Sequence, residues 1–251
     1  FELAQLLAKQ GRNRASLRVL DTLDGVVGHD PRRTALRAII LRRLGDEETA
    51  TKLLEEGLRI DPLDALLRVL SGTRRPEDAG ILLDVAWDLI HAGSLTEALL
   101  VLDEAIAAPI PMQGPVAHYV AAAVLEDLGR ADDAAARRAA ARNADLDRAF
   151  PNGLDAHDAL VRAVLADDAD AVARFLLGML YYHNHRRTEA MELWDAAIAL
   201  GFTHPVLLRN AGLASYNVAG DDHKAWQRYE ESVAADPTDA RIRYEQDQLA
   251  I

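Results

Sequence analysis

The 251-residue chain carries 40 acidic against 28 basic side chains, and its formal charge of -12 argues against a nucleic-acid backbone as the main partner, because phosphate contacts need clustered Lys and Arg. It has no cysteine, which removes disulfides, thiolate catalysis and cysteine-bound metal and suits a reducing compartment, so the cytoplasm is the expected location. Half the residues are apolar, alanine being the commonest, and 5% are aromatic, which suits closely packed helices, and no apolar run approaches the roughly 18–20 residues that a membrane span needs.

Periodicity and turn residues predict helices throughout, with no strand pattern. A first, divergent pair covers 1–31, with helices over 1–10 and 13–27, a turn at Gly11 and a stop at Asp30-Pro31. The next pair, 32–62, is regular: it turns at Gly45-Asp46, closes at Asp61-Pro62, and carries Ala38, Leu41, Ala50 and Leu54 where two helices would pack. Proline suits the start of the following helix, since that position has no intrahelical partner for an N–H. One single helix is expected near 63–70, broken by Ser71-Gly72 and Pro76. The pair 78–108 turns at Gly93, and Pro109-Ile110-Pro111 leads out as a loop, because two prolines cannot both sit inside a helix. The pair 115–145 turns at Gly129, and its second helix is almost all Ala and Arg, which fits either very close packing or a less buried place. After Phe150-Pro151-Asn152 comes a single helix near 154–165, then pairs over 171–204 and 205–237, and a closing helix over 239–251 with a polar outer face.

The last two pairs repeat each other. Gly178 recurs as Gly212 and Tyr182 as Tyr216, each 34 residues on, whereas Ala190 recurs as Ala225 and Trp194 as Tyr229, each 35 on. This period and residue order resemble the tetratricopeptide repeat, in which a helical hairpin buries its apolar side only by stacking on another hairpin. The implied fold is all-α: one right-handed α-solenoid of tetratricopeptide-like hairpins over 1–251, with interspersed single helices and a C-terminal capping helix. Gly178 and Gly212 are expected where backbones come closest.

A second resemblance rests on Asp61-Pro62-Leu63-Asp64, Phe150-Pro151-Asn152, the run 193–205, Arg209-Asn210-Ala211-Gly212 and the run 236–241. Together these are similar to the C-terminal repeat region of large bacterial proteins of a domain-of-unknown-function family, whose N-terminal part is β-rich and sugar-enzyme-like. The resemblance implies a possible carbohydrate context and supplies no catalytic residue. The chain opens at Phe1 inside a helical pattern, so a longer parent is expected, with an apolar strip around Phe1, Leu3 and Leu7 left for another domain.

Two function classes follow. The first is an interaction or scaffold module that binds a peptide, a protein or a neighbouring domain of its own chain. The second is an accessory region of a carbohydrate-active enzyme, completing or covering a site built upstream. In a solenoid of this kind the first helix of each hairpin lines the inner surface, which places Tyr182, His183, Arg209, Asn210, Tyr216 and Asn217 there as a ligand-binding patch. The alternative is that both tyrosines are packing aromatics and that Arg209 pairs with a neighbouring acid. Asp84, Trp87 and His91 share one helix face at spacings of three and four and form a secondary candidate, half-buried packing being the other reading. His183 and His185 are two residues apart, which points imidazoles on one helix away from each other and argues against shared metal. No metal, cofactor or catalytic residue is assigned, and neither a membrane nor nucleic acid is expected as a partner.

Overall fold

The computed structural model describes residues 1–24, 28–73, 76–108, 114–147 and 149–249. The expected end of the second helix at 25–27 and the proline loop at 109–113 lie outside them. Among the described residues every regular element is helical. The chain forms two compact units: unit 1 takes Phe1–Ala117 and Val124–Ala134, and unit 2 takes His118–Ala123 and Ala135–Ile251.

Helix starts are set by side-chain caps. Asp30, Asp46, Asp64, Asp78, Asp170 and Asp221 each accept a hydrogen bond from a backbone N–H of the first helical turn, which satisfies a donor with no intrahelical partner. Ends are set by left-handed residues: Gly45, Gly93, Gly129 and Gly220 all have positive φ, and the chain reverses at each. His185 holds the same place between the next two helices at φ 62°, a conformation that costs a side chain more than glycine.

In unit 1, α1 (Glu2–Lys9) pairs with α2 (Asn13–Asp24), α3 (Pro31–Arg43) with α4 (Glu47–Ile60), and α6 (Ala79–His91) with α7 (Leu95–Ile106). The short α5 (Ala65–Ser71) packs on α3, α4 and α6; it comes so close to α4 that a Cβ on Gly57 would lie 2.7 Å from Leu67. Arg43, at the end of α3, donates to the carbonyls of Ala8 and Ala92 and to the Ser94 hydroxyl, tying together the C-terminal ends of α1, α3 and α6. Leu7 is buried beside Ala4 and Ala8, whereas Leu3 and Leu6 are 56% and 53% exposed. The exposed strip of α1 is therefore Leu3 and Leu6 rather than one that includes Leu7, which shares its face with Ala4.

The helix α8 (Gly114–Asp127) is followed through Gly129 by α9 (Ala131–Arg142), which buries Ala134 and Ala141 and leaves Ala135 and Ala136 exposed. Its Ala- and Arg-rich sequence thus reflects a narrow buried stripe. In unit 2, α10 (Gly153–Ala166) packs on α11 (Ala171–His183), which pairs with α12 (Arg187–Ala199); α13 (Pro205–Ala214) pairs with α14 (Asp222–Ala235), and α15 (Ala240–Leu249) lies against α14. Two glycines make the hairpins tight. A Cβ on Gly178 would enter the Trp194 indole, and one on Gly212 would lie 2.9 Å from the Tyr229 ring. The indole N–H of Trp194 in turn donates to the Phe175 carbonyl at 3.1 Å.

A buried polar network fixes the start of α11. Asp170 is fully buried; its Oδ1 accepts from the Ala173 N–H at 2.9 Å and from the Tyr119 hydroxyl at 2.8 Å, and its Oδ2 accepts from Arg142 at 3.3 Å. Burial and the neighbouring carboxylate push the Tyr119 hydroxyl well above its ordinary range, so it stays a donor.

Candidate functional site

Between α11, α12 and α13 unit 2 opens into a pocket of about 190 Å³ lined by Phe150, Met179, Tyr182, His183, Trp194, Arg209, Asn210 and Leu213. The repeat itself creates it. Because Gly178 has no side chain, Trp194 reaches across α11 and forms the floor, where its ring lies 5.4 Å from that of Tyr182 at 32°. Phe150 precedes α10 and walls the far side, meeting His183 edge-on at 5.7 Å.

Arg209 and Asn210 supply the polar rim. Arg209 Nε donates to Glu245 Oε2 at 2.7 Å and its Nη2 donates to Oε1 at 2.6 Å, a bidentate pair between α13 and α15. Its remaining nitrogen, Nη1, donates to Asn210 Oδ1 at 3.0 Å, so the Asn210 Nδ2 is left as a donor with no partner among the described residues. Glu245 also accepts from the Tyr229 hydroxyl at 3.1 Å and from Arg241 at 3.0 Å. Hydrogen bonds from Arg209, then those from Arg241 and Tyr229, hold the Glu245 carboxyl down at about 2. Burial and the Glu245 charge push the Tyr229 hydroxyl up to about 12. Hydrogen bonding to Glu245 also raises Arg209, which is therefore a permanent cation inside a neutralising fork.

Of the six residues expected on the inner patch, Tyr182, His183, Arg209 and Asn210 converge on this pocket, while Tyr216 and Asn217 do not line it. The cause is a π-helical turn. After α13, residues Ser215–Ala219 widen into a π-helix, so the N–H that closes the turn, from Asp221, reaches back six residues to Ser215, where Arg186 in the preceding hairpin reaches back five to Tyr181. The Ser215 hydroxyl donates to the Ala211 carbonyl within the same segment. One extra residue is thereby absorbed, which is why Gly178 and Gly212 are 34 apart and Trp194 and Tyr229 are 35 apart. The widened turn leaves Tyr216 47% exposed and brings the Asn217 amide back onto the Leu213 carbonyl.

In unit 1, Asp84 lines a groove of about 340 Å³ together with Arg32, Asp64, Ile81 and Asp88. Arg32 pairs with Asp88 at 3.0 Å there, and burial nonetheless raises the Asp88 carboxyl above its ordinary value. Trp87 and His91 lie on the same helix, α6, are both partly buried and do not line that groove. His183 ends α11 and His185 lies beyond the cap; no group of three metal-ligating side chains occurs among the described residues.

Sequence reasoning missed Phe150, Met179, Trp194 and Leu213 as pocket walls, and it missed Glu245. Phe150 precedes a proline in a stretch without helical periodicity, which carries no signal of where the ring goes. Glu245 had a faint one: it stands 36 residues after Arg209, about one repeat on, on a helix of the kind that stacks beside α13 and α14.

No family model matches the sequence, and no curated protein matches it. The chain is similar to several solved structures. Pseudomonas aeruginosa pilF is similar over 98% of this chain and 94% of its own, at 12% identity and a TM-score of 0.38. TTC0263, a thermophilic tetratricopeptide protein of Thermus thermophilus, is similar over 87% of this chain and 98% of its own, at 19% identity and a TM-score of 0.37. YrrB, described as a tetratricopeptide protein with an unusual peptide-binding site, is similar over 87% of this chain and 92% of its own, at 17% identity and a TM-score of 0.36.

Proposed function

We propose that this chain is a protein-interaction module whose inner face in unit 2 binds a peptide segment of a partner protein. The observation that carries the reading is the pocket itself: an apolar floor of Trp194, Tyr182, Met179 and Leu213 beside an amide donor, Asn210 Nδ2, that nothing among the described residues satisfies. Apolar area with a few fixed polar groups is what a recognition site needs. The partner's side chain would fill the floor while one of its carbonyls accepts from Asn210. Binding without turnover is the corresponding expectation for the isolated chain, because no group lining the pocket is arranged as a nucleophile beside a base.

Selection from a displayed peptide library, followed by calorimetry on the selected sequences, tests this. Tyr182→Ala and Asn210→Ala should each weaken a selected peptide by about 1 kcal/mol or more. Parent-like affinity in both variants would place recognition on another surface.

A further inference from the structure

We infer that the unit 2 pocket takes one uncharged apolar side chain, a leucine or an aromatic ring, from the interior of a partner peptide, and that Glu245 excludes carboxylates, including a peptide's own C-terminus. The inference rests on the peptide-binding reading above and adds the chemistry of the partner. Its first support is size. A dry cavity of about 150 Å³ accommodates a benzene ring, and the space here, about 190 Å³, is walled by Phe150, Met179, Tyr182, Trp194 and Leu213. That space suits one large side chain and no more.

Its second support is the state of Arg209. An arginine beside an aromatic pocket would ordinarily attract a carboxylate through its planar fork. Here both fork positions facing α15 are taken by Glu245 at 2.7 and 2.6 Å, and the third nitrogen is taken by Asn210. Glu245 is itself anchored by Tyr229 and Arg241, and its side chain is 22% exposed, so the Arg209 fork is already engaged and not open to an incoming carboxylate. Displacing Glu245 would replace one ion pair with another of the same kind, against a competitor tethered in the same chain at high effective concentration. The unmet polar group of the rim is a neutral donor, Asn210 Nδ2, which suits a peptide or amide carbonyl. Selectivity here therefore comes from an arginine already occupied within the chain as much as from apolar contact.

The test uses the full chain and three N-acetylated glycine-flanked probes: one with Phe at its centre and an amidated end, one ending in Phe with a free carboxylate, and one with Asp at its centre and an amidated end. Binding is read from the Trp194 indole N–H resonance, since that ring forms the pocket floor. The amidated Phe probe should bind the parent at least about tenfold more tightly than either carboxylate-bearing probe. Glu245→Gln frees the Arg209 fork and should strengthen the free-acid probe by about fivefold or more relative to the amidated Phe probe. Adding Arg209→Gln to that variant should cancel the gain. A free-acid probe that binds the parent as well as the amidated one overturns the inference, and this comparison needs no variant to fold. Failure of all three probes to move the resonance overturns the peptide-binding reading itself, which separates the two outcomes.

Discussion

In unit 1, α1 lies over α3 and reaches α6, and Phe1 and Gln5 meet Arg32, Ala35, Leu36, Ile39, Leu66 and Asp88 around a gap of only about 10 Å³, scarcely room for one water. In unit 2 the face made by α11 and α13 keeps about 190 Å³ open, with an amide donor at its edge. Both units are built from the same hairpins, held by the same Asp caps and left-handed turns. What differs is the element laid across the face. A helix whose backbone end is clamped by Arg43 covers part of the first and leaves the groove beside Arg32 and Asp88 open, whereas in the second α15 reaches only the rim, through Glu245. A pocket thus remains in unit 2 where no element lies across α11 and α13, and Arg209 at its edge is used to hold α15.

The comparison breaks most severely at the polar network of unit 2. Asp170→Ala removes the N-cap of α11 and leaves Tyr119 and Arg142 facing a buried void, and it should cost about 3–5 kcal/mol in urea denaturation. Next is Gly178→Leu, which drives a side chain into Trp194 and so attacks the fold and the pocket floor together; about 1–3 kcal/mol is expected, with loss of peptide binding. Arg43→Ala sharpens the comparison from the other side. It orphans the Ala92 carbonyl and removes the tie to Ala8, and it should cost about 1–2 kcal/mol while leaving peptide affinity unchanged, because Arg43 does not line the unit 2 pocket.

The fold was legible where chemistry is local. Asp caps, turn glycines and Pro at helix starts mark their own positions, and Gly178 and Gly212 could be placed at helix contacts because only a missing side chain admits Trp194 and Tyr229 so closely. The inner patch was legible in part. Tyr182, His183, Arg209 and Asn210 line the pocket, but Tyr216 and Asn217 lie within the π-helical turn that absorbs the inserted residue and do not line it. The change from 34 to 35 between Tyr216 and Ala225 was the trace of that insertion, although spacing alone does not say whether a loop or a helix absorbs it. Long-range pairs such as Arg209 with Glu245, or Tyr119 with Asp170, depend on how helices stack and have no local signature.

The smallest predicted effect concerns the rim of the open face and its dependence on pH. The carboxyl of Glu245 stands at about 2 in the folded chain against an ordinary 4.5, chiefly because Arg209 donates to it, with Arg241 on its own helix and Tyr229 on α14 contributing. A carboxyl depressed by folding binds fewer protons in the native state than in the unfolded one, so its stabilisation is fully present above 4.5 and is lost as the pH falls toward 2. Arg209, raised by Glu245, stays charged across that window, and Tyr229, pushed up to about 12, stays protonated. With the side chain 22% exposed and partly screened, the contribution at neutral pH should be about 1–2 kcal/mol. The measurement is the difference in urea midpoint between the parent and Glu245→Gln at several pH values. The parent should lead above pH 5 and converge on the variant toward pH 2, since the glutamine cannot titrate. A gap that persists unchanged to pH 2 would mean that Glu245 holds α15 by packing rather than by charge, and that the rim is not the electrostatic gate its geometry describes.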